Sequence, residues 1–548
     1  MGKRDSNGRS VVHALTRRQL LKAGGILIPA SAAVPGLFTR LARAQAATGF
    51  DYYISPTGSD ANPGTVSSPW SVTAINSKQS LYAGKRVGFL PGTYDVSGLM
   101  TTDANNGART PVMNINGGTS NSARTYLASC DGGGNYSPRT AVFDAKGASG
   151  YYGGGNANTN AILGCNSQVG NRGYWTVDGV VLEGFSMWAI HIGDSPGGGT
   201  AINDWTIQNC EITGGNGESV TGQSGTNFAP LIIYCSQSGG LFTNNYVHDN
   251  AGYLGSLGVS HSSAIYIWGY PLTQDVVISY NTFVATGNVH SKEATQQNNT
   301  VAYNYIDMRG SSSAGGPTQN TAGIFGFCAD GGGGTLSTIH HNIVLHDGSG
   351  ICLQNDTGQN GWDTPVQIYN NTLVMTANQV AGDPVLSAYA NSASVSPMPV
   401  AAYNNLVYDG GYSLSSNYGY WLANVNAFSL CDYNIYGAGS VYCLVPAGQT
   451  TSSGETTYSS LSSWASAIGG LEKHSSASGA NPFTNSGTFA GQFQVQAGSP
   501  AYQAGRVGGV STGAACNVGA WDGTAGQIGC NFVGGEVVPS PPVLNSVG

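Results

Sequence analysis

The chain has 548 residues, 82 of them glycine, and only 9% of its residues are charged, with a formal net charge of −8. Low charge and high glycine are typical of disordered chains, but 40% hydrophobic residues with frequent Tyr, Trp, Ile and Val exclude that class. The acidic balance argues against nucleic acid or an anionic membrane as a partner. Short β-prone runs between Gly, Asn, Ser and Thr indicate a folded chain with many tight turns.

The first 46 residues predict an export signal. Arg17-Arg18 precedes a modest apolar run, and Ala44-Gln45-Ala46 follows as a small-residue cleavage site. The pattern resembles a twin-arginine signal, which implies a secreted or periplasmic protein. The apolar run is short and interrupted by Gly and Pro, so we do not expect a membrane anchor. We divide the chain into a signal at 1–46, one domain at 47–532 and a tail at 533–548.

The chain beyond the signal is strongly acidic and holds all ten cysteines. Residues 1–46 contain eight Lys or Arg and one Asp, so 12 basic and 27 acidic residues remain, a net charge of −15. An even number of cysteines in an exported protein predicts disulfides. Cys516 with Cys530 and Cys431 with Cys443 are the closest in sequence, but the connectivity stays open.

One short phrase repeats through the centre of the chain, an asparagine flanked by alternating apolar residues. These asparagines are residues 209, 245, 281, 304, 342, 371 and 405. Spacings of 23 to 38 residues with period-two flanks predict stacked strand–turn–strand coils, with the asparagines bonded to each other in a ladder. No segment here has helical periodicity, so a helical solenoid is excluded. The fold class is therefore all-β.

The two ends of the domain carry a family resemblance. Residues 52–65 and Phe89-Leu90-Pro91-Gly92-Thr93-Tyr94 resemble the opening coil of the pectate-lyase-like superfamily, and Val518-Gly519-Ala520-Trp521 resembles its closing segment. The resemblance covers about residues 50–530. It implies a single-stranded right-handed parallel β-helix, a fold that carries lyases, hydrolases, esterases, epimerases and proteins without enzymatic activity.

A second strand follows each asparagine phrase, and these strands can be stacked in register. The stack is 190–193, 231–234, 265–268, 289–292, 324–327, 351–354 and 386–389. First and third positions are mostly aliphatic and fill the core, so second and fourth positions face outward. The outward positions form an aromatic strip that suits sugar rings. We expect substrate binding by Trp268, Tyr234, Phe327, His261 and Gln354, unless a loop packs over the strip and buries it.

The strip contains the strongest chemical signal. Lys292 and Arg309 are the only Lys or Arg residues between Arg172 and Lys473, and they fall on neighbouring coils. A lysine among aromatics loses hydration, so its pKa falls and a neutral amine can abstract a proton beside a carboxylate. That is the first step of β-elimination from a uronate.

Elimination needs two further groups. Arg309, His290, Tyr266 and His261 are candidates to protonate the departing oxygen. The substrate carboxylate needs a cation beside it, which is Arg309 or a Ca²⁺ held by Glu293 or neighbouring acids. Calcium is thus a candidate cofactor, and no other is expected.

Ser291-Lys292, followed by residues 299–304, resembles the Ser-Lys segment of polysaccharide lyase family six, which includes alginate lyases and chondroitinase B. The resemblance implies that Lys292 is the base and that an arginine on the following coil assists. Arg309 stands at a turn, however, while Phe325 and Phe327 occupy the expected strand, and the family's paired acidic calcium ligands have no clear equivalents.

Two other functions stay open. A glycoside hydrolase would need two carboxyl groups at a fixed separation, and the acids on these coils are Asp249, Glu293, Asp307, Asp330, Asp347 and Asp356. A non-catalytic carbohydrate-binding protein would need neither. The polygalacturonase motifs are absent. We predict a secreted polysaccharide lyase acting on a uronate-containing polymer as a monomer.

Overall fold

The computed structural model describes residues 49–530 with gaps. The gaps are residues 101, 104–110, 147–157, 160, 186–187, 194–200, 216–226, 236, 251–260, 269–271, 287, 293–294, 298, 310–321, 329–337, 347, 356–365, 376–383, 391–398, 410–419, 425, 440, 446–454, 486–488, 524–527 and 529. The predicted signal at 1–46 and tail at 533–548 lie outside the described residues, so both stay predictions. Within the described part, no helix is both long and apolar enough to cross a membrane.

Three long parallel sheets form the sides of a helical coil. Each turn of the chain passes through a strand of the first sheet, then the second, then the third, and each strand pairs with the equivalent strand one coil later. These are the stacked coils predicted from the repeat, in the parallel β-helix that the family resemblance implied. Its right-handed course is the one that twisted parallel strands favour.

The first sheet contains β1 (Tyr52–Ile54), β2 (Arg86–Phe89), β6 (Thr125–Ser129), β10 (Trp175–Asp178), β14 (Trp205–Gln208), β19 (Leu241–Thr243), β23 (Val277–Ser279), β27 (Thr300–Ala302), β30 (Thr338–His340), β33 (Val366–Tyr369), β36 (Val400–Tyr403) and β39 (Phe428–Asp432). The second contains β3 (Gly92–Asp95), β7 (Ala141–Asp144), β11 (Val181–Glu183), β15 (Glu211–Thr213), β20 (Tyr246–His248), β24 (Thr282–Val284), β28 (Tyr305–Met308), β31 (Ile343–His346), β34 (Thr372–Met375), β37 (Leu406–Tyr408), β40 (Ile435–Tyr436) and β43 (Ser476–Ala477).

The third sheet contains β5 (Met113–Asn114), β9 (Leu163–Cys165), β12 (Ile190–Gly193), β17 (Leu231–Tyr234), β21 (His261–Trp268), β25 (Asn288–Lys292), β29 (Ile324–Cys328), β32 (Ile351–Asn355), β35 (Leu386–Ala390), β38 (Trp421–Asn424), β41 (Tyr442–Val445) and the antiparallel β42 (Thr456–Tyr458); β16 (Asn227–Phe228) pairs beside β21. A fourth, four-stranded sheet contains β13 (Ile202–Asn203), β18 (Gln237–Ser238), β22 (Leu272–Gln274) and β26 (Thr295–Gln297). Two small antiparallel pairs are β4 (Thr102–Asp103) with β8 (Asn158–Thr159), and β44 (Gly505–Arg506) with β45 (Ala515–Cys516).

The core lies inside the coil and follows from alternation along each strand. Inward residues such as Ile207, Ile212 and Ile233 are at most 1% exposed and belong to one continuous apolar cluster. Parallel strands that bury one face against the other sides of the coil need this period-two pattern. Stacked coils therefore build the core without helices across the sheets.

The corner between the first and second sheets carries the asparagine ladder. The preceding residue in each coil has a positive φ, for example 57° at Tyr280 and 59° at Tyr303, which turns the chain sharply. At the next position, Nδ2 of Asn281 donates to Oδ1 of Asn304 at 3.0 Å, and Nδ2 of Asn304 donates to Oδ1 of Asn342 at 2.9 Å. The ladder is confirmed at residues 245, 281, 304, 342, 371 and 405.

The prediction was wrong at one asparagine and missed another. Asn209 occupies the positive-φ position, at 57°, and Cys210 takes the ladder position, where its backbone N–H donates to Oδ1 of Asn245 at 2.9 Å. At the other end, Asn434 continues the ladder by accepting from Nδ2 of Asn405 at 3.1 Å. Asn suits both a left-handed turn and the ladder, so the two positions look alike in sequence.

A buried carboxyl group ends the ladder. Glu472 accepts hydrogen bonds from Asn434 Nδ2 at 3.3 Å, Cys431 Sγ at 2.9 Å and Tyr436 Oη at 2.5 Å, and also from the Ser475 hydroxyl. Burial raises the pKa of Glu472. These bonds satisfy amide and hydroxyl donors that would otherwise be left without a partner at the last coil.

Short helices and the C-terminal segment close the fold. The helices are α1 (Ala74–Ser77), α2 (Gln79–Tyr82) and α3 (Leu461–Ala467), the last capped by the Ser460 hydroxyl, with 3-10 turns at Ser97–Leu99, Phe489–Phe493 and Val507–Gly509. Beyond α3 the chain packs against the outside of the second sheet. Val518 and Ala520 lie in one apolar cluster with Ile343 and Leu345, and the Ala520 N–H donates to Thr372 Oγ1 at 2.9 Å.

The disulfide prediction is not supported. No disulfide is found among the nine cysteines that the structure describes, and all nine are buried. Cys431 donates to Glu472, whereas Cys443 lies in register with Leu422 on the third sheet. The two thiols therefore lie in different parts of the coil and are not bonded to each other. Burial raises the pKa of Cys210 and of Cys443 to about 12. These cysteines act as small core residues.

Candidate active site on the third sheet

The register of the third sheet is the one predicted from the sequence. Trp268 of β21 pairs with Lys292 of β25, and Lys292 pairs with Phe327 of β29. The same column continues through Gln354 of β32 to Tyr389 of β35. The other predicted strands also align, since β12 pairs with β17 and β17 with β21 without an offset. The aliphatic residues at the first and third positions belong to the core, as expected.

An apolar cluster covers the outward face on the coils before Lys292. It contains Ala161, Trp188, Ala229, Ile232, Tyr234 and Tyr266. The side chains of Tyr234 and Tyr266 are only 4% and 1% exposed, and their rings meet edge to face at 6.2 Å. The expected exposed strip is therefore wrong at these two residues. Long connections flank the third sheet, and burial of the outward rings follows from packing that strand alternation does not reveal.

A second cluster lies on the coils after Lys292. It contains Ala322, Phe325 and Cys352, with Tyr389 packed against it. Gln354, predicted to bind substrate, is 8% exposed, and its Oε1 accepts a hydrogen bond from the Tyr389 hydroxyl at 3.2 Å. Gln354 is thus a mostly buried partner of Tyr389 in the structure rather than an open sugar contact.

The strand β25 lies between these two clusters and carries His290 and Lys292. The backbone positions of His261, Trp268 and Phe327 are on the flanking strands β21 and β29. The side chains of these five residues, and the whole of Glu293, fall outside the described part of the chain. Their catalytic, binding and metal roles stay predictions.

Arg309 lies at a different corner of the coil. It directly follows β28 of the second sheet, and its guanidinium binds both carboxylate oxygens of Asp307, with Nε–Oδ1 at 2.8 Å and Nη2–Oδ2 at 2.5 Å. The connection from Arg309 leads to β29, the strand next to Lys292. Its side chain is 54% exposed, so the guanidinium is open to solvent. Its role toward a substrate carboxylate is untested.

The acids considered for a hydrolase do not lie on the described strands of the third sheet. None of its described strands contains Asp or Glu, whereas β25 contributes one lysine. Of the acids considered for a hydrolase, Asp249 directly follows β20 and bonds to His248, and Asp307 lies on β28 of the second sheet and bonds to Arg309. Glu293, Asp330, Asp347 and Asp356 are outside the described residues. Where side chains are described, no group of three or more His, Cys, Asp or Glu could hold a metal.

Two features of this face were not predicted from the sequence. Trp188 covers the outward side chains next to β12, at 5.2 Å from the ring of His191 and 6.3 Å from that of Tyr234. The fourth sheet, which follows β12, β17, β21 and β25 along the chain, was also missed. Its strands have two or three residues, too short for a periodic signal, although the polar pairs Gln237-Ser238 and Thr273-Gln274 recur at equivalent places.

Several solved structures resemble this fold. Pectate lyase Pel9A matches at 15% identity with a TM-score of 0.43, over 86% of this chain and 96% of that one. A rhamnogalacturonan lyase matches at 17% identity and a TM-score of 0.29, over 71% and 72%. A PL6 family polysaccharide lyase from Pseudopedobacter saltans matches at 12% and 0.31, over 74% and 90%. No protein-family model and no curated protein matches the sequence. By its three long parallel sheets, the chain is a parallel β-helix.

Proposed function

We propose that the chain is a polysaccharide lyase that cleaves a uronate-containing polymer by β-elimination, with Lys292 as the base. The observation that carries this proposal is the make-up of the third sheet: one lysine on β25, between two apolar clusters, and no carboxylate on any described strand. A hydrolase needs two carboxyl groups facing one groove. Elimination needs a base and a proton donor, which β25 supplies.

The reaction can be written from residues of one strand. The neutral Lys292 amine takes the proton from C5 of the uronate, and the C–H electron pair forms the C4=C5 double bond as the C4–O bond to the leaving sugar breaks. The departing oxygen takes a proton from an acid. We assign that acid to His290, because it lies two residues before Lys292 on β25, about 7 Å along the strand.

Tyr266 is the weaker donor, because its side chain is 1% exposed. The developing negative charge needs a cation. Arg309 can serve only by exchanging or sharing its bond with Asp307. A calcium ion at Glu293 is the alternative source of positive charge. Secretion through the twin-arginine route remains part of this proposal.

A product assay tests the reaction class. The protein is incubated with acidic and neutral polysaccharides, and the ultraviolet absorbance of unsaturated uronate is recorded in parallel with new reducing ends. A lyase yields both signals. Reducing ends without absorbance would replace the proposal by a hydrolase, and binding without either product would make the chain a carbohydrate-binding protein.

A further inference from the structure

The fourth sheet forms an additional side on four coils, and the last of these is the coil of Lys292. Its strands β13, β18, β22 and β26 each follow a third-sheet strand and precede a first-sheet strand. The strand β26 begins three residues after Lys292. This sheet is therefore continuous with the candidate active site.

One face of the fourth sheet points into the coil. Ile202 and Gln237 are each 1% exposed, and Oε1 of Gln237 accepts a hydrogen bond from Nε1 of the buried Trp205 at 3.0 Å. Because side chains alternate, the next residue on each strand faces outward. These are Asn203, Ser238 and Gln274, each half-buried, with Gln297 next in register.

The outward residues form a row of neutral hydrogen-bonding groups. The Ser238 N–H donates to Asn203 Oδ1 at 2.9 Å, and Gln274 Nε2 donates to Ser238 Oγ at 2.9 Å. These bonds hold the side chains in place yet leave capacity, because a carboxamide has two N–H donors and an acceptor oxygen. Asn203 Nδ2 and Gln274 Oε1 have no protein partner in the described structure.

The charge around the outward face of the fourth sheet favours neutral sugars over uronates. None of the four strands contains an ionisable residue, and the residues at the adjoining turns are Asp204 and Asp275. Arg124, a cation beside the turn at Asp204, donates to the main-chain carbonyls of Trp175 and Asp204. Among the described residues of the row, a uronate would meet acidic turns and no Lys or Arg, whereas neutral sugar hydroxyls would find both donors and acceptors.

We propose that the row Asn203–Ser238–Gln274 is a binding subsite for uncharged sugar residues, so the substrate is a heteropolymer in which neutral sugars separate the uronates. This rests on the proposed function, because it places the uronate at Lys292 and the neutral sugars beside it. Sparse charge on the polymer also fits an enzyme whose domain carries a large acidic excess.

The test compares polymers and variants. Polygalacturonate and polymannuronate serve as uronate homopolymers, and hyaluronan and a rhamnogalacturonan backbone serve as alternating polymers. The double variant Ser238→Ala/Gln274→Ala should lower kcat/KM for a cleaved alternating polymer about tenfold, as expected for two lost hydrogen bonds. Gln274→Lys should also lower kcat/KM for the alternating polymer. The control is Gln367→Ala, an exposed glutamine on the first sheet.

Binding separates failure of this inference from failure of the lyase assignment. Affinity electrophoresis of the Lys292→Ala protein measures polymer retention without turnover. Retention by an alternating polymer that falls in the triple variant Lys292→Ala/Ser238→Ala/Gln274→Ala, relative to Lys292→Ala alone, supports the subsite even if no unsaturated product ever forms. Equal retention in single and triple variants, or a preference for a uronate homopolymer that Gln274→Lys strengthens, overturns it.

Discussion

Trp268 and Lys292 are register partners on β21 and β25, and Phe327 follows in the same column on β29. A lysine thus has an aromatic residue on each neighbouring strand. The strand spacing of about 4.8 Å keeps these positions within reach of one sugar unit. The first two predictions concern this column.

Replacing Lys292 by Ala should lower kcat about a thousandfold, because it removes the group that takes the proton. Polymer binding and the unfolding temperature should stay near those of the unchanged protein. Lys292→Arg should not restore turnover, since a guanidinium does not lose its proton near neutral pH. Activity should rise with pH as the amine deprotonates. Substantial turnover in Lys292→Ala would rule out its role as the base.

Trp268 and Tyr266 lie two residues apart on β21 and should respond differently to truncation. Trp268→Ala should weaken polymer binding by about 1–2 kcal/mol through loss of a sugar-stacking ring, with little change in stability. Tyr266→Ala should instead lower the free energy of unfolding by about 3 kcal/mol, because its ring is buried. Isothermal titration and urea unfolding measure the two effects. Equal destabilisation by both changes would mean that Trp268 is also buried.

Removing one asparagine side chain from the ladder should destabilise the fold strongly. Asn304 accepts from Asn281 N and Nδ2, each at 3.0 Å, and its Nδ2 donates to Ile278 O at 3.0 Å and Asn342 Oδ1 at 2.9 Å. Asn304→Ala should therefore lower the free energy of unfolding by about 3 kcal/mol in denaturant titrations. Gln367→Ala, at an exposed glutamine on β33 shortly before the same corner, is the control and should change the free energy of unfolding by less than about 1 kcal/mol. A reversed order would show that the ladder contributes little.

The repeat predicted the ladder well because its chemistry is local. The misplacement of Asn209 has a physical cause: Asn244-Asn245 and Asn404-Asn405 place asparagine at both the positive-φ and ladder positions, while Asn209-Cys210 fills only the first. When the phrase contains only one asparagine, the sequence does not show whether it occupies the positive-φ position or the ladder position. The register of the third sheet was predictable for a similar reason, since a shift by one residue would place polar side chains in the core.

The surface of the site was less predictable. Whether Tyr234 is exposed depends on Trp188 and on connections between the sheets, whose conformations the strand pattern does not determine. The even count of cysteines suggested disulfides, but inward positions such as Cys210 and Cys431 use the thiol as a small core group. Composition cannot separate these uses of cysteine.

His346 should make the stability of the fold depend on pH. It lies on β31 in register between Met308 and Met375 and is fully buried. Burial lowers its pKa from 6.5 to about 4, although its Nδ1 bonds to the Gly348 carbonyl. Between these two pH values the unfolded chain binds the proton and the folded chain does not. Stability is therefore full above pH 6.5 and falls as the pH drops toward 4, by about 3 kcal/mol for this group.

His346→Met isolates that contribution, because methionine matches its neighbours Met308 and Met375 in the column and does not titrate. Urea unfolding across pH 4–7 should show a smaller loss of stability in the variant at the acid end and similar stability at neutral pH. The neighbourhood of His340, whose pKa burial also lowers, is unchanged in both proteins and cancels in the difference. His474→Gln, at a half-exposed histidine paired with Asp432, is the control and should keep the acid loss attributed to His346. Parallel pH profiles for the unchanged protein and His346→Met would show that His346 does not titrate on unfolding as its burial requires.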